Sequence, residues 1–174
     1  GWAVTAAKRD LCDGCDVNHD FTKTIFDAYL EGRTLITNQA DMTDILLQMD
    51  IVLNTWEKVV AAVTIHYVND VAADIAGIIA AGDTTAAPGS DATADYENHW
   101  GEMRGYANGL LYNDFKVIPD DHLNRIYTLM GTAPVYPSNG NFDDMQAYHD
   151  SLVGEVRAIF KLAYSFSDAN VANW

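Results

Sequence analysis

The chain has 174 residues, a formal net charge of −15 and an apolar content of 49 %, which suits one folded domain with a sizeable core. The negative charge argues against nucleic acid and anionic membrane surfaces as partners, because both would repel the chain. Cations and basic partners fit better. No uninterrupted apolar stretch is long enough to span a bilayer, so the sequence predicts no transmembrane segment.

The N-terminal segment, residues 1–20, carries the only two cysteines, Cys12 and Cys15, with an Asp-Gly turn signal between them. We expect a local disulfide, which would indicate an exported protein; free thiols and a metal or redox role are the alternatives. Asp16 follows Cys15 where a c-type haem attachment motif requires histidine, so no such motif is present. Residues 16–20 match a calcium loop poorly, and a solvated turn before the next helix is the favoured interpretation.

Two helices are predicted next. Apolar residues at helical spacing predict a helix over 21–38, with Asp20 as its candidate N-cap. After a break, apolar residues three and four apart between Met42 and Tyr67 predict a long helix. That helix would run to about residue 80 and measure about 60 Å. Residues 81–90 are rich in small and turn-forming residues and form the clearest predicted loop.

The following helix, 91–112, is striped with glycine. Gly101, Gly105 and Gly109 recur every fourth residue and therefore share one side of the helix. Each costs about 1 kcal/mol relative to alanine in a helix interior. We expect the stripe to allow another helix to pack closely, or to set the spacing of a site beside it.

The rest of the chain completes an all-α pattern. Pro119 opens a short helix, and a loop with two prolines separates it from the last helix, 142–166. We predict an all-α fold: an antiparallel four-helix bundle over residues 21–166, with one long helix and one short extra helix. Residues 167–174 would form a C-terminal tail.

Histidines and one glutamate are the candidate metal ligands. His99 and Glu102 lie one turn apart on the glycine-striped helix, within reach of one small cation. His66 and His149 are predicted to face the interior, where helical bundles build metal sites. The predicted cofactor is a divalent or ferric metal ion. A hydrogen bond from each histidine to a neighbour is the alternative interpretation.

Enzyme motifs are missing from the sequence. It contains no Gly-x-Ser-x-Gly elbow, no His-Glu-x-x-His motif and no phosphate-binding loop. We therefore predict a protein without catalytic residues, and a metallopeptidase-like hydrolase is the minority alternative.

Four stretches resemble an uncharacterised family of exported bacterial helical proteins, which is distantly similar to the imelysin group. They are IFDAYLEGR at 25–33, WEK through HYVN at 56–69, NHWGEMRGYA at 98–107 and GTAPV at 131–135. The imelysin pattern is Gly-x-His-x-x-Glu. This chain keeps His99 and Glu102 but has Glu97 in place of the glycine.

The resemblance implies a non-enzymatic protein of the bacterial cell envelope that binds a metal ion or metal complex in iron or haem uptake. Members of the family are often lipoproteins, so the implied location is periplasmic, outer-membrane-associated or extracellular. The chain resembles the C-terminal half of such proteins, and a front half or a separate chain would pack on the helix at 91–112. The alternative function is that of a structural or assembly subunit of a larger extracellular or envelope complex.

Overall fold

The structure is a computed structural model that describes residue 12 and residues 14–174. Residues 1–11 and 13, which belong to the predicted N-terminal segment, lie outside the described residues. The described part is mostly helical and contains no strand, which confirms the all-α class.

Six helices follow one another along the described chain. The π-helical segment Leu152–Val156 continues Asp143–Ser151 into Arg157–Tyr164 without a break, so these three pieces form one helix, α5. A 3₁₀ turn, Asp91–Thr93, immediately precedes the helix Ala94–Leu111. The other helices are α1 (Phe21–Thr37), α2 (Met42–Ala81), α3 (Ala94–Leu111), α4 (Asp120–Met130) and α6 (Asp168–Asn173).

The helix ends follow local sequence chemistry. Asp20 caps α1 by accepting a hydrogen bond of 2.9 Å from the backbone N–H of Lys23. α2 ends at Gly82, whose φ of 71° is the left-handed conformation that glycine adopts most easily. Pro119 precedes α4, and Asp120 and Asp121 place negative charge in its first turn, where the helix dipole favours it.

α2 is the central element of the fold. α1 packs on its first half and α3 on its second half. Between Val59 and Ile65 buried residues occur all round α2, and from Val68 to Ile78 they lie on one side of it. The apolar ones form the main core together with α3, α4 and α5. A separate small core of Ile25, Ala28 and Val52 joins α1 to the first half of α2. The α1–α2 pair is therefore a helical hairpin that extends from a larger body.

Side-chain contacts give the direction of the body helices. α3 runs antiparallel to α2, because His99 contacts Asp74 near its start and Gly109 faces Val60 near its end. Tyr127 of α4 donates a hydrogen bond of 2.8 Å to the side-chain oxygen of Asn108, near the end of α3.

Residues 167–174, which the sequence leaves as a tail, form a short helix packed on the body. The Asn69 side-chain amide donates to the carbonyl of Trp174 at 2.8 Å and to that of Val171 at 3.3 Å. Arg157 donates in turn to the Asn69 side-chain oxygen at 2.7 Å. The side chain of Trp174 is buried against Phe166.

By length and composition alone, α2 could cross a membrane. Its most apolar window has a mean hydropathy of 1.3, and 56 % of that window is buried inside the protein. Such burial is also typical of the core helix of a folded domain, so the finding is weak evidence for a membrane span. The absence of a transmembrane segment stays a prediction.

Candidate functional site

The seam between α2 and α3 contains the strongest predicted ligand, His99. Its Nδ1 atom lies 2.7 Å from the Oδ2 atom of Asp74. The rings of Tyr67 and Tyr106 stack beside this pair, with centroids 5.5 Å apart. His99 is thus already hydrogen-bonded to a carboxylate that the sequence analysis did not select.

The other predicted ligands have separate carboxylate or phenol neighbours. The Nε2 atom of His66 lies 3.2 Å from Asp70, and the Nδ1 atom of His149 lies 3.0 Å from Asp150. Glu102 interacts with the Tyr67 hydroxyl. Among the described residues there is no group of three or more His, Cys, Asp or Glu side chains that could hold a metal ion. Metal binding by His99 and Glu102 stays a prediction.

The carboxylate of Asp74 changes the acidity of His99. Partial burial alone would lower the His99 pKa, but the hydrogen bond and negative charge of Asp74 outweigh this effect and raise it. Burial raises the pKa of Asp74, although His99 opposes that shift. The pair therefore favours a protonated imidazole at the α2–α3 seam.

Cys12 and Cys15 are joined by a disulfide in the structure. The backbone beside it packs on α6, where the Asn173 side chain donates to the carbonyl of Gly14 at 3.3 Å. Val17 and Asn170 exchange two further hydrogen bonds, at 3.2 and 2.9 Å. These contacts give the disulfide segment a structural position beside the C-terminal helix.

The glycine stripe of α3 faces open space. A Cβ atom built at Gly101 or Gly105 would meet no atom of the described chain within 4 Å, and one at Gly109 would lie 3.5 Å from Val60. Gly101 and Gly105 line a shallow surface groove with Glu102 and Tyr106. Only Gly109 faces another helix within the described chain, and a partner on the rest of the stripe stays a prediction.

A stripe of α2 residues spaced by seven connects this seam to the hairpin. Asp74 and Tyr67 face α3, and Val60 lies under its Gly109. The next two positions of the same stripe are Leu53 and Leu46. They lie beyond the end of α3, and Leu46 is exposed. α3 therefore covers this stripe on the second half of α2, whereas the stripe is uncovered on the first half.

The uncovered part of the stripe belongs to a broad apolar face on one side of the hairpin. A helix has about 3.6 residues per turn. With this spacing, the apolar residues next to the α2 contact of α1 lie on the same side of the hairpin as the uncovered stripe. A groove of about 340 Å³ runs between the two helices on that side, over Ala28, Gly32 and Val52. The exposed apolar residues of the face are Phe26, Tyr29, Ile36, Met42, Leu46 and Met49, whereas Leu30 and Leu47 are exposed on other sides of the hairpin.

Charge is distributed unevenly around the hairpin. Arg33 is the only charged side chain that lines the groove. By the same helical geometry, Asp27, Glu31 and Asp44 point away from the apolar face. Asp50 lies at the edge of the face, one turn from Leu46, so the face carries one acidic residue at its border.

A buried glutamate fixes the loop that follows α3. The Glu57 carboxylate accepts hydrogen bonds from the backbone N–H of Val117 at 2.7 Å and of Ile118 at 3.0 Å. It also accepts from the Asn113 amide at 3.0 Å and from the Tyr164 hydroxyl at 2.8 Å. These bonds hold the loop against the middle of α2, where the uncovered part of the stripe begins.

The same loop exposes large apolar side chains. Tyr112 is 83 % exposed and Phe115 is 66 % exposed. Leu111 and Val117, on either side of them, are also exposed. Because Glu57 anchors the loop, this second apolar patch has a fixed position at the base of the hairpin.

Neither the apolar face nor the buried glutamate can be predicted from local sequence, for physical reasons. Apolar spacing on α1 and α2 predicts which side of each helix is apolar. It does not predict whether another element of the same chain packs on that side. Glu57 is followed by Lys58 and follows Asn54 and Thr55, so the sequence gives no signal that its carboxylate is buried. Comparison with protein families, curated proteins and solved structures finds no match to this chain, so the imelysin resemblance stays a prediction.

Proposed function

We propose that the protein is a non-enzymatic structural or assembly subunit that docks another helical surface on the apolar face of its α1–α2 hairpin. The observation that carries the proposal is the one-sided character of that face. Six large apolar side chains are exposed there, and most acidic residues of the hairpin lie on the other sides. A contiguous apolar patch is typical of a surface that is covered by a partner.

The arrangement of α2 supports docking over chance exposure. α3 already covers the second half of the seven-residue stripe, with contacts to Val60, Tyr67 and Asp74. The first half offers the same kind of surface to another helix. A helix that continues the line of α3 would cover Leu53 and Leu46 in the same way.

We also propose that α3, α4, α5 and the second half of α2 form an antiparallel four-helix bundle. It differs from the bundle predicted from the sequence, in which the helix at 21–38 was a member and the short helix after Pro119 was the extra one. The opposite runs of α2 and α3 support the proposed bundle, as does the contact of Tyr148 on α5 with the carbonyl of Met130, where α4 ends. In this arrangement the body is self-sufficient, and the hairpin is the part that lacks a cover.

Two methionines on the face provide a direct test. Met42 is 65 % exposed and Met49 is 44 % exposed, whereas Met145 is fully buried and serves as the internal reference. We would oxidise the protein with hydroxyl radicals in intact producing cells and, separately, in highly diluted purified form. Docking predicts that Met42 and Met49 react several-fold more slowly in cells, while Met145 reacts slowly in both.

Equal oxidation rates of Met42 and Met49 in the two settings would overturn the proposal. A slower rate at the exposed Tyr112 alone would do the same, because the protected surface would then be a different one. The test does not depend on which partner covers the hairpin.

A further inference from the structure

We propose that the partner on the hairpin face is a second copy of this chain, docked antiparallel so that two hairpins form a four-helix bundle across a two-fold axis. The inference rests on the proposed function and names the occupant of the same face. Three observations carry it: the width of the face, its area and the position of the aromatic loop.

The uncovered surface is two helices wide. Both α1 and α2 contribute exposed apolar side chains, and the groove between them is lined from both sides. A single docked helix would leave part of this width in water. A second hairpin has the matching width, and a two-fold axis places the same apolar surface on both partners.

The area is sufficient for a specific dimer. The 17 residues of α1 measure about 25 Å along the helix, and two packed helices are about 20 Å wide. The face then covers about 500 Å² on each copy and about 1,000 Å² in the pair, which is the minimum area of a biological interface and typical of a weak dimer. The side chains that protrude from it increase the buried surface further.

The position of α3 selects the antiparallel arrangement. α3 packs on the same side of α2 as the apolar face, and it ends close to Val60. In a parallel arrangement, α2 of the second copy would clash with α3 of the first copy. In the antiparallel arrangement the tip of the second hairpin, residues 38–41, ends where α3 ends, and its body points away.

The aromatic loop lies where that tip would arrive. Glu57 fixes the loop at the end of α3, and Tyr112 and Phe115 project from it into solvent. In the antiparallel dimer they would contact Ile36 and Met42 at the tip of the second copy. One arrangement therefore covers both exposed apolar patches at once.

Electrostatics permits this self-association despite the net charge of −15. Asp27, Glu31 and Asp44 lie off the face, Asp50 lies at its edge, and Arg33 is the charged residue that lines its groove. The acidic surfaces of the two bodies lie at opposite ends of the antiparallel dimer, where distance and salt weaken their repulsion.

The first test is sedimentation velocity of the purified full chain over a range of concentrations. We expect a species of twice the 19.1 kDa chain mass. The double variant Leu46→Glu/Met49→Glu should raise the dissociation constant by more than about 100-fold, because it buries unpaired carboxylates in an apolar interface. Its helical circular dichroism should be unchanged, since both side chains are exposed in the single chain.

Leu162→Glu is the matched control. Leu162 is 70 % exposed on α5, outside the hairpin face, so this variant should dimerise like the unmodified chain. A chain that stays monomeric at all concentrations would overturn the proposal. So would a dimer that the face variant and the control affect equally.

A cross-link tests the orientation. The variant Met42→Cys/Phe115→Cys should join two copies through a short bis-maleimide reagent, whereas either single substitution should not. A dimer without this cross-link would overturn the antiparallel arrangement. If the purified chain is monomeric but Met42 and Met49 are protected in cells, the second copy is excluded and the assembly function stands with a different partner.

Discussion

Tyr164, the last residue of α5, donates a hydrogen bond of 2.8 Å to Glu57 in the middle of α2, and both side chains are almost completely buried. Burial, followed by the negative charge of Glu57, raises the pKa of Tyr164, so its hydroxyl stays protonated and can donate. One carboxylate thereby joins two helices and the loop after α3.

Replacing Glu57 should destabilise the protein strongly. Glu57→Ala leaves two backbone N–H groups and two side-chain donors without their acceptor, and we expect a loss of about 3 kcal/mol or more in the free energy of unfolding. Tyr164→Phe removes one bond to a charged group and should cost about 2 kcal/mol. Urea denaturation followed by circular dichroism measures both changes.

Glu155→Ala is the control for Glu57. Glu155 pairs with Arg125 on the surface, and both side chains are at least half exposed. Removal of such a pair should cost less than about 1 kcal/mol. If Glu57→Ala were no less stable than Glu155→Ala, the anchoring role of Glu57 would be wrong.

The His99–Asp74 pair should make stability depend on pH. The folded-state pKa of His99 is raised, so protonation of His99 stabilises the fold. This contribution is complete below the unfolded value of about 6.5 and is lost as the pH rises through the folded-state pKa. Asp74→Asn should lower the His99 pKa, which NMR titration of the imidazole ring measures directly.

Asp143→Asn is the control for that titration. Asp143 lies in the first turn of α5 and has no contact with His99. It should leave the pKa of His99 unchanged. A His99 pKa that does not respond to Asp74→Asn would contradict the assignment of Asp74 as the cause.

Metal analysis separates the two functions considered for this chain. The part of the chain that the structure describes brings together no group of three or more His, Cys, Asp or Glu side chains that could hold a metal ion, so we expect protein isolated without chelator to carry no stoichiometric transition metal. Elemental analysis with native mass spectrometry measures this. A stoichiometric metal that His99→Ala removes, without loss of helical content, would instead support the metal-binding hypothesis.

The open glycines of α3 offer a test of the surface around them. Gly101→Ala and Gly105→Ala meet no neighbouring atom, so each should stabilise the isolated chain by about 0.5–1 kcal/mol through helix propensity. Gly82→Ala is the contrasting variant, because φ is 71° there and alanine should destabilise. Thermal unfolding distinguishes these signs, and destabilisation by Gly101→Ala would indicate a close neighbour on the stripe.

Local sequence patterns predicted the helices well. The observed α1 and α2 begin at Phe21 and Met42, as predicted, because an N-cap and an unbroken three-and-four spacing are local properties. The last helix was also predicted, although its π-helical segment at 152–156 was not. A local widening of the helix depends on packing, which the apolar pattern does not encode.

The site depended on contacts that no local pattern reveals. His99 and Asp74 are 25 residues apart, and Tyr164 and Glu57 are 107 apart. The sequence placed His99 at a seam but assigned it to Glu102, its neighbour on the same helix. The choice between partners is made by the packing of α3 on α2, which only the folded structure shows.

The long helix α2 also has a consequence for local stability. It runs through two apolar cores of unequal size. Phe21 at the start of α1 belongs to the larger one, and the rest of α1 is held by a core of three buried residues, Ile25, Ala28 and Val52. Amide protons of α1 should therefore exchange with solvent through local opening well before those of the body. A partner docked on the hairpin would stabilise α1 against local opening. Amide protection along α1 would therefore report whether a partner is bound to the hairpin.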